Sequence, residues 1–237
     1  MAFVRSLIFF SGYATLTLLY GSTTLFIWLL PNLVAHRFIT SWTTIIIWWL
    51  KVTCGVKYVV KGRENIPSDA GFVVLSKHQS AWETLFLQTL FWPATTILKK
   101  ELLNIPFFGW GLRVLKPVPI DRSNPRLALK QVKTIGSERL QEGFNIILFP
   151  EGTRMPVGEK GTYARSGADI ASNANVPIVP VAVNAGACWP PKRFVKYPGT
   201  VIVSIGPSIS AENRSSKEVM ADVENWIENE MASHAAP

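Results

Sequence analysis

Asn145-Ile146-Ile147-Leu148-Phe149, followed at once by Pro150-Glu151-Gly152-Thr153-Arg154, is the stretch of this 237-residue chain that decides its fold. The run is short, almost wholly apolar, and cut off by turn-forming Pro and Gly. That pattern reads as a buried strand. Strands that are apolar throughout belong to parallel sheets covered by helices on both faces. Open sheets of that kind bind ligands beyond the carboxyl ends of their strands. Here that position carries a Glu, a Thr and an Arg.

The same alternation extends in both directions. Upstream, Pro125 opens a helical pattern that runs to about Gln141, with Gly143 just past its end, the places these two residues favour. Downstream, Gly167–Ala174 reads as a short helix and Ile178–Val183 as a strand. Val56–Lys61, Gly71–Ser76, Thr95–Leu98, Val118–Ile120 and Thr200–Ile205 are further strand candidates, and Ser80 to about Leu90 has helical spacing. From Ser215 an acidic tail sets Met220, Val223, Ile227 and Met231 near one helical face. The prediction is an α/β fold, a mostly parallel sheet flanked by helices, over residues 55–237. Val176–Val181 contains Pro177 and Pro180. A residue without an N–H is awkward in a central strand, so this strand is expected at an edge or as a wall beside the site.

Hydrophobic residues make up 48% of the chain and charged residues 17%, which excludes disorder. Cys54 and Cys188 are the two cysteines, too few for a disulfide scaffold. The net charge of +8 is uneven. Residues 1–63 hold six basic side chains and no acid, residues 64–206 a further excess of six, and residues 207–237 an excess of four acids. The excess flanks apolar segments, which argues against a nucleic-acid partner and for a membrane surface.

No residue from Ser6 to Leu30 is charged. As a helix this run is long enough for a hydrocarbon core of about 30 Å. Pro31 ends it. A second uncharged run, Phe38–Leu50, is rich in Ile and Trp, but at about 20 Å it is short for a span. A cleaved signal peptide, a single span, a buried helix pair and a hairpin that enters one leaflet and returns are the alternatives. The long run exceeds a signal-peptide core and no small-residue cleavage site follows it. Arg5 and Arg37 flank it evenly, so they set no orientation. The expectation is a membrane-associated helical hairpin over residues 1–54.

The chain has no G-x-S-x-G elbow, no P-loop and no H-E-x-x-H. Its histidines are His36, His78 and His234, and no metal site is expected. His78 is expected to be the one in a structured position, between the strand 71–76 and the following helix. In Ser76-Lys77-His78-Gln79-Ser80-Ala81-Trp82-Glu83, His78 and Glu83 would lie about 140° apart on a continuous helix. With His78 in the loop and Glu83 in the first helical turn, the carboxylate reaches back to orient the imidazole. Ser80-Ala81-Trp82-Glu83 is also a capping box, so Glu83 has a second reading as a helix cap, and one carboxylate can serve both. In the loop after residue 149, Arg154 offers a planar fork suited to phosphate, and Glu151 holds either a hydroxyl or that Arg. A third cluster runs from Lys99-Lys100-Glu101 through Phe107-Phe108-Gly109-Trp110-Gly111 to Pro119-Ile120-Asp121-Arg122. It mixes basic and aromatic residues in a way that suits a phosphorylated ligand with an apolar tail.

Taken together these three clusters and the proline-containing strand Val176–Val181 resemble the glycerolipid acyltransferase superfamily, specifically the bacterial 1-acyl-sn-glycerol-3-phosphate acyltransferases, over roughly residues 1–206. The family pattern H-x-x-x-x-D is matched by His78 and, with Glu for Asp, by Glu83. Its F-P-E-G-T-R block is matched without change by Phe149–Arg154. The resemblance implies that His78 is the general base and Glu83 its orienting acid. It implies that Lys100, Arg122 and Arg154 bind the substrate phosphate, and that Glu151, Gly152 and Thr153 form the acceptor-binding loop. It also implies lysophosphatidic acid as acceptor, acyl-CoA or acyl-acyl carrier protein as donor, and no further cofactor. The implied location is the cytoplasmic membrane, with the catalytic domain facing the cytoplasm. An oxyanion site is expected among backbone N–H groups near the helix that begins at Ser80. An acyltransferase for glycerol 3-phosphate or another lysolipid is the nearest alternative, and a non-catalytic module that binds anionic lipid is the alternative from another class.

Overall fold

The computed structural model describes residues 1–68, 71–121, 123 and 125–234. Two long helices come first, α1 (Ala2–Thr23) and α2 (Asn32–Cys54). The α/β body follows as β1 (Val56–Lys61), β2 (Val73–Ser76), α3 (Trp82–Leu90), β3 (Ala94–Lys99), α4 (Phe108–Val114) and β4 (Val118–Ile120). It continues with α5 (Pro125–Gln141), β5 (Asn145–Leu148), α6 (Ser166–Ala174), β6 (Ile178–Val183), β7 (Gly199–Ile205) and α7 (Ser216–His234).

The seven strands form one sheet in the order β1-β7-β6-β2-β5-β3-β4. β6, β2, β5, β3 and β4 run parallel to one another, whereas β7 is antiparallel to β6 and β1 parallel to β7. The opening stretch is therefore central. β5 is buried along its whole length, with Ile147 facing one core and Ile146 and Leu148 the other. Asn145 locks its start: the side-chain carbonyl accepts from Phe72 N (3.2 Å) and the amide donates to the Phe91 carbonyl (3.0 Å). α5, α6 and α7 cover one face of the sheet, and α2 and α3 the other. Met220, Val223 and Ile227 are the buried stripe of α7, as their spacing predicts.

Pro180 corrects the expectation drawn from it. β6 is an interior strand, not an edge, and Pro180 pairs with Leu75 of β2. The proline is tolerated because pairing with β7 begins only at Val181. There Gly206 N donates to the Pro180 carbonyl (2.9 Å), and no ladder bond requires a donor at residue 180.

The N-terminal helices are docked on the body. Ile39, Trp42, Ile46, Ile47 and Leu50 form one buried face of α2, the spacing of an amphipathic helix. Trp42, Ile46, Ile47 and Leu50 share a core with Phe72, Trp82 and Phe86. Position 54/55 thus separates helix from strand, but it does not separate two cores. α1 crosses α2 at Gly12, where a Cβ would sit 2.2 Å from the Trp49 indole nitrogen. Lys196 N also donates to Ser6 Oγ (2.8 Å) of α1. The outer side of α1 and of its connection to α2 exposes Phe3, Leu7, Leu19, Phe26, Leu29 and Leu33. Among the described residues α1 is the one helix long and apolar enough to cross a membrane.

His36 and His234 are structured as well, contrary to the sequence reading. His36 on α2 is fully buried and bonds the Ala94 carbonyl through Nε2 (3.0 Å). A carbonyl only accepts, so Nε2 carries the proton and Nδ1 faces the Thr40 hydroxyl (3.3 Å). His234 at the end of α7 meets Ser204 Oγ (2.9 Å). Neither environment was visible until distant elements packed together.

Candidate active site

Parallel strands carry their carboxyl ends to one edge, and three of the singled-out blocks lie there, the fourth, Val176–Val181, being the entry and body of β6. His78 follows β2, Phe149–Arg154 follow β5, and Lys100 and Asp121 follow β3 and β4. At about 4.8 Å per strand, the end of β3 lies about 10 Å from that of β2 and the end of β4 about 14 Å. Arg122 lies outside the described residues.

The His78 ring stacks on Phe149, with centroids 4.1 Å apart and planes at 21°. Its Nδ1 is 3.0 Å from Glu83 Oε1. The carboxylate accepts, so Nδ1 carries the proton and Nε2 keeps its lone pair. Nε2 has no protein partner among the described residues, and the side chain is 12% exposed. The imidazole is thus held in one tautomer with its basic nitrogen open.

Glu83 is fully buried in the first turn of α3. Its Oε1 also accepts from Gln79 N (2.7 Å) and Ser80 N (2.5 Å). Capping and orientation, the two readings of this residue, therefore coincide on one oxygen. Oε2 is buried without a partner among the described residues. The other half of the capping box is displaced: Ser80 Oγ accepts from Trp82 N (3.1 Å) rather than from residue 83. These bonds also remove the amides of Gln79, Ser80 and Trp82 from the oxyanion site expected at this helix start.

The loop after β5 is divided in its roles. Gly152 adopts φ +67, a conformation that favours glycine, in open space. Gly152, Thr153 and Arg154 are exposed. Arg154 has no carboxylate partner among the described residues, so its guanidinium is available to an anion. Glu151 is different. It is buried, with Oε1 accepting from Lys77 Nζ (2.7 Å) and Gly161 N (3.0 Å), and Oε2 from His78 N (3.1 Å). The Glu151 side chain has no exposed surface to offer an acceptor hydroxyl, and it does not pair with Arg154. Met155 N completes the link by donating to the His78 carbonyl (2.8 Å).

Lys100 is exposed and donates to Asp121 Oδ2. That bond raises the lysine above its ordinary pKa. Bonds from Lys100 and Ser123 hold Asp121 far below the usual carboxylate range. Residues that sequence reasoning passed over are Lys77, Tyr163 and Glu228, which form a buried cluster behind His78. Their one local signal is a lysine that ends an apolar strand.

A histidine with an oriented, open nitrogen beside an unpaired arginine is an arrangement for moving a proton near an anionic substrate. Comparison with known proteins gives the family. Residues 57–184 match the model of the Acyltransferase family. A curated protein of Pseudomonas aeruginosa, 1-acyl-sn-glycerol-3-phosphate acyltransferase, is 44% identical over 97% of this chain and 91% of its own length. The chain belongs to the acyltransferase family. The yeast Saccharomyces cerevisiae has a similar 1-acyl-sn-glycerol-3-phosphate acyltransferase, 28% identical over 81% of this chain and 65% of that protein. The crystal structure of the 1-acyl-sn-glycerophosphate (LPA) acyltransferase PlsC from Thermotoga maritima matches with a TM-score of 0.82 and 28% identity. That match covers 99% of this chain and 96% of the other. The protein is an enzyme, and its α/β sheet with a preceding apolar helix is the architecture of that solved acyltransferase.

Proposed function

We propose that this acyltransferase moves a fatty acyl group from acyl-CoA or acyl-acyl carrier protein to the sn-2 hydroxyl of 1-acyl-sn-glycerol 3-phosphate, forming phosphatidic acid. The observation that carries the reading is His78, with Nδ1 bonded to buried Glu83 and Nε2 open beside the Arg154 loop. His78 Nε2 takes the proton of the hydroxyl, and the oxygen attacks the thioester carbonyl. The C–S bond then breaks, and the thiol leaves with the proton from the imidazolium. Glu83 stabilises the imidazolium between these steps. Arg154 binds the acceptor phosphate, with Lys100 and Arg122 as further ligands, which fixes the hydroxyl near the base. Lys100 reaches the phosphate by exchanging its Asp121 partner for it. The names of the similar proteins, all acting on 1-acyl-sn-glycerol 3-phosphate, support this acceptor.

The exposed apolar side of α1 supports a hairpin seated in one leaflet of the cytoplasmic membrane, with the catalytic edge at the cytoplasmic surface. α2 is too deeply packed on the body to be a second span.

The test is thiol release by the purified enzyme with lysophosphatidic acid and matched acyl-CoA and acyl carrier protein donors, repeated with glycerol 3-phosphate and with lysolipids lacking the phosphate monoester. Preference for an acceptor without that monoester would sink the assignment. His78→Ala is expected to abolish turnover while binding to anionic vesicles survives, which separates the enzyme from a passive lipid-binding module.

A further inference from the structure

Lys77 follows the end of β2 and precedes His78, yet its side chain lies inside the protein at 1% exposure. Its ammonium donates to Glu151 Oε1 (2.7 Å), to Glu228 Oε1 on α7 (2.8 Å) and to the Glu159 carbonyl (3.0 Å). Three donors thus meet three acceptors. The Tyr163 hydroxyl donates to the same Glu228 oxygen (2.7 Å). Burial, with the Glu228 bond and the nearby carboxylates adding to it, holds that phenol far above its ordinary pKa, so it remains a donor.

Glu151 relays this arrangement to the site. One oxygen faces Lys77, the other accepts from His78 N, and the next part of its loop bonds the His78 carbonyl through Met155 N. Both backbone polar groups of His78 are therefore held by a loop anchored on Lys77 and, through Lys77, on α7. A lysine removed from water is costly unless it is paired and fully bonded. Its two carboxylate partners lie 74 and 151 residues away in sequence. It is satisfied only when the loop and α7 are both docked, and in that one arrangement His78 has its backbone held.

We propose that Lys77, Glu151 and Glu228 are positioning residues for His78, and that the C-terminal helix thereby belongs to the catalytic machinery. This rests on His78 acting as the base. It assigns Glu151 a role behind the histidine in place of a contact with the acceptor, from which its buried side chain is withdrawn.

The experiment is steady-state thiol release by the full-length enzyme in mixed micelles of detergent and lysophosphatidic acid, with kcat counted per folded enzyme and melting temperatures measured alongside. Glu151→Gln sets an amide NH2 against the Lys77 ammonium and Gly161 N–H, or, turned over, against the His78 N–H. A misplacement of the base by about 1 Å costs about 100-fold, so kcat should fall by about that factor with the acceptor KM changed less than about twofold. Glu228→Leu should lower kcat about tenfold, and Glu228→Gln should restore most of it, because the amide oxygen still accepts from Lys77 and Tyr163. A higher acceptor KM at unchanged kcat in Glu151→Gln overturns the proposal, since that is what loss of an acceptor contact would do. Wild-type kcat in Glu228→Leu overturns it too. Should Glu151→Gln fail to fold, Glu228→Leu decides alone, because Glu228 lies at the rim of the cluster, 24% exposed. A parallel His78→Ala enzyme keeps the two readings apart: activity there defeats the base assignment, whereas an inactive His78→Ala beside a fully active Glu228→Leu defeats only the positioning.

Discussion

Replacing Glu83 by Gln separates its two roles, because the cap needs an oxygen and the catalyst needs a charge. Oε1 accepts from Gln79 N at 2.7 Å, Ser80 N at 2.5 Å and His78 Nδ1 at 3.0 Å. A glutamine oxygen in the same place still accepts all three, so the helix start and the ring tautomer survive. What disappears is the negative charge facing the imidazolium. A hydrogen bond to a charged group contributes about 1.5–3 kcal/mol against about 1 kcal/mol for a neutral one, so about 0.5–2 kcal/mol of transition-state stabilisation goes with it. At about 1.4 kcal/mol per tenfold, kcat should fall about 2–30-fold. The buried Oε2, which has no partner among the described residues, becomes an amide NH2 in the same position. An unsatisfied donor there lowers stability by about 1–3 kcal/mol, a separate effect visible in the melting temperature. The assay is thiol release at saturating acceptor and donor, normalised to folded enzyme. A Glu83→Gln enzyme with kcat within twofold of wild type would show that Glu83 only caps α3.

Three further outcomes are expected. Arg154→Ala should raise the acceptor KM about tenfold or more, with Arg154→Lys intermediate because a lysine lacks the planar fork; an unchanged KM in steady-state assays removes Arg154 from the phosphate site. Burial, with Lys116 adding to it, pushes His36 down to about 4. The unfolded chain binds this proton at about pH 6.5 and the folded one does not, so stability is full above pH 6.5 and falls as the pH drops towards 4, by about 2 kcal/mol at pH 5. Denaturant titrations at pH 7 and pH 5 should show that loss in the wild type and not in His36→Gln. Gly12→Ala should lower the melting temperature through a loss of about 1–3 kcal/mol, because its Cβ meets the Trp49 indole; an unshifted melting temperature would mean that α1 does not cross α2 there.

Much of this site was legible in the sequence because its signals are local. An apolar run such as Asn145–Leu148 carries its own burial, and Pro150 and Gly152 mark where it stops. His78, Arg154 and Lys100 each follow such a run, so a parallel sheet alone brings them to one edge. The Glu83 carboxylate reached His78 because five residues of loop and first turn can fold back on themselves. Other features have no local mark. Nothing near Glu151 in the sequence says that its partner is Lys77 rather than Arg154. Nothing in Pro180 reveals that β7 pairing begins just beyond it, and the apolar pattern of α2 fits a bilayer and a protein core equally well.

The sequence by itself thus determined the strands and all of the helices but α4, the edge at which the candidate site lies, and the histidine, carboxylate and arginine that stand there. Each follows from hydrophobic periodicity and from turn residues within about ten positions. Tertiary structure alone decided the reversed direction of β7 and β1, the docking of α2 into the core, and the burial of Glu151 against Lys77 and the His78 amide. Those features depend on charges, hydrogen bonds and apolar faces that meet across as many as 151 residues of chain. Such meetings are set by which surfaces can be buried together without leaving a polar group unsatisfied.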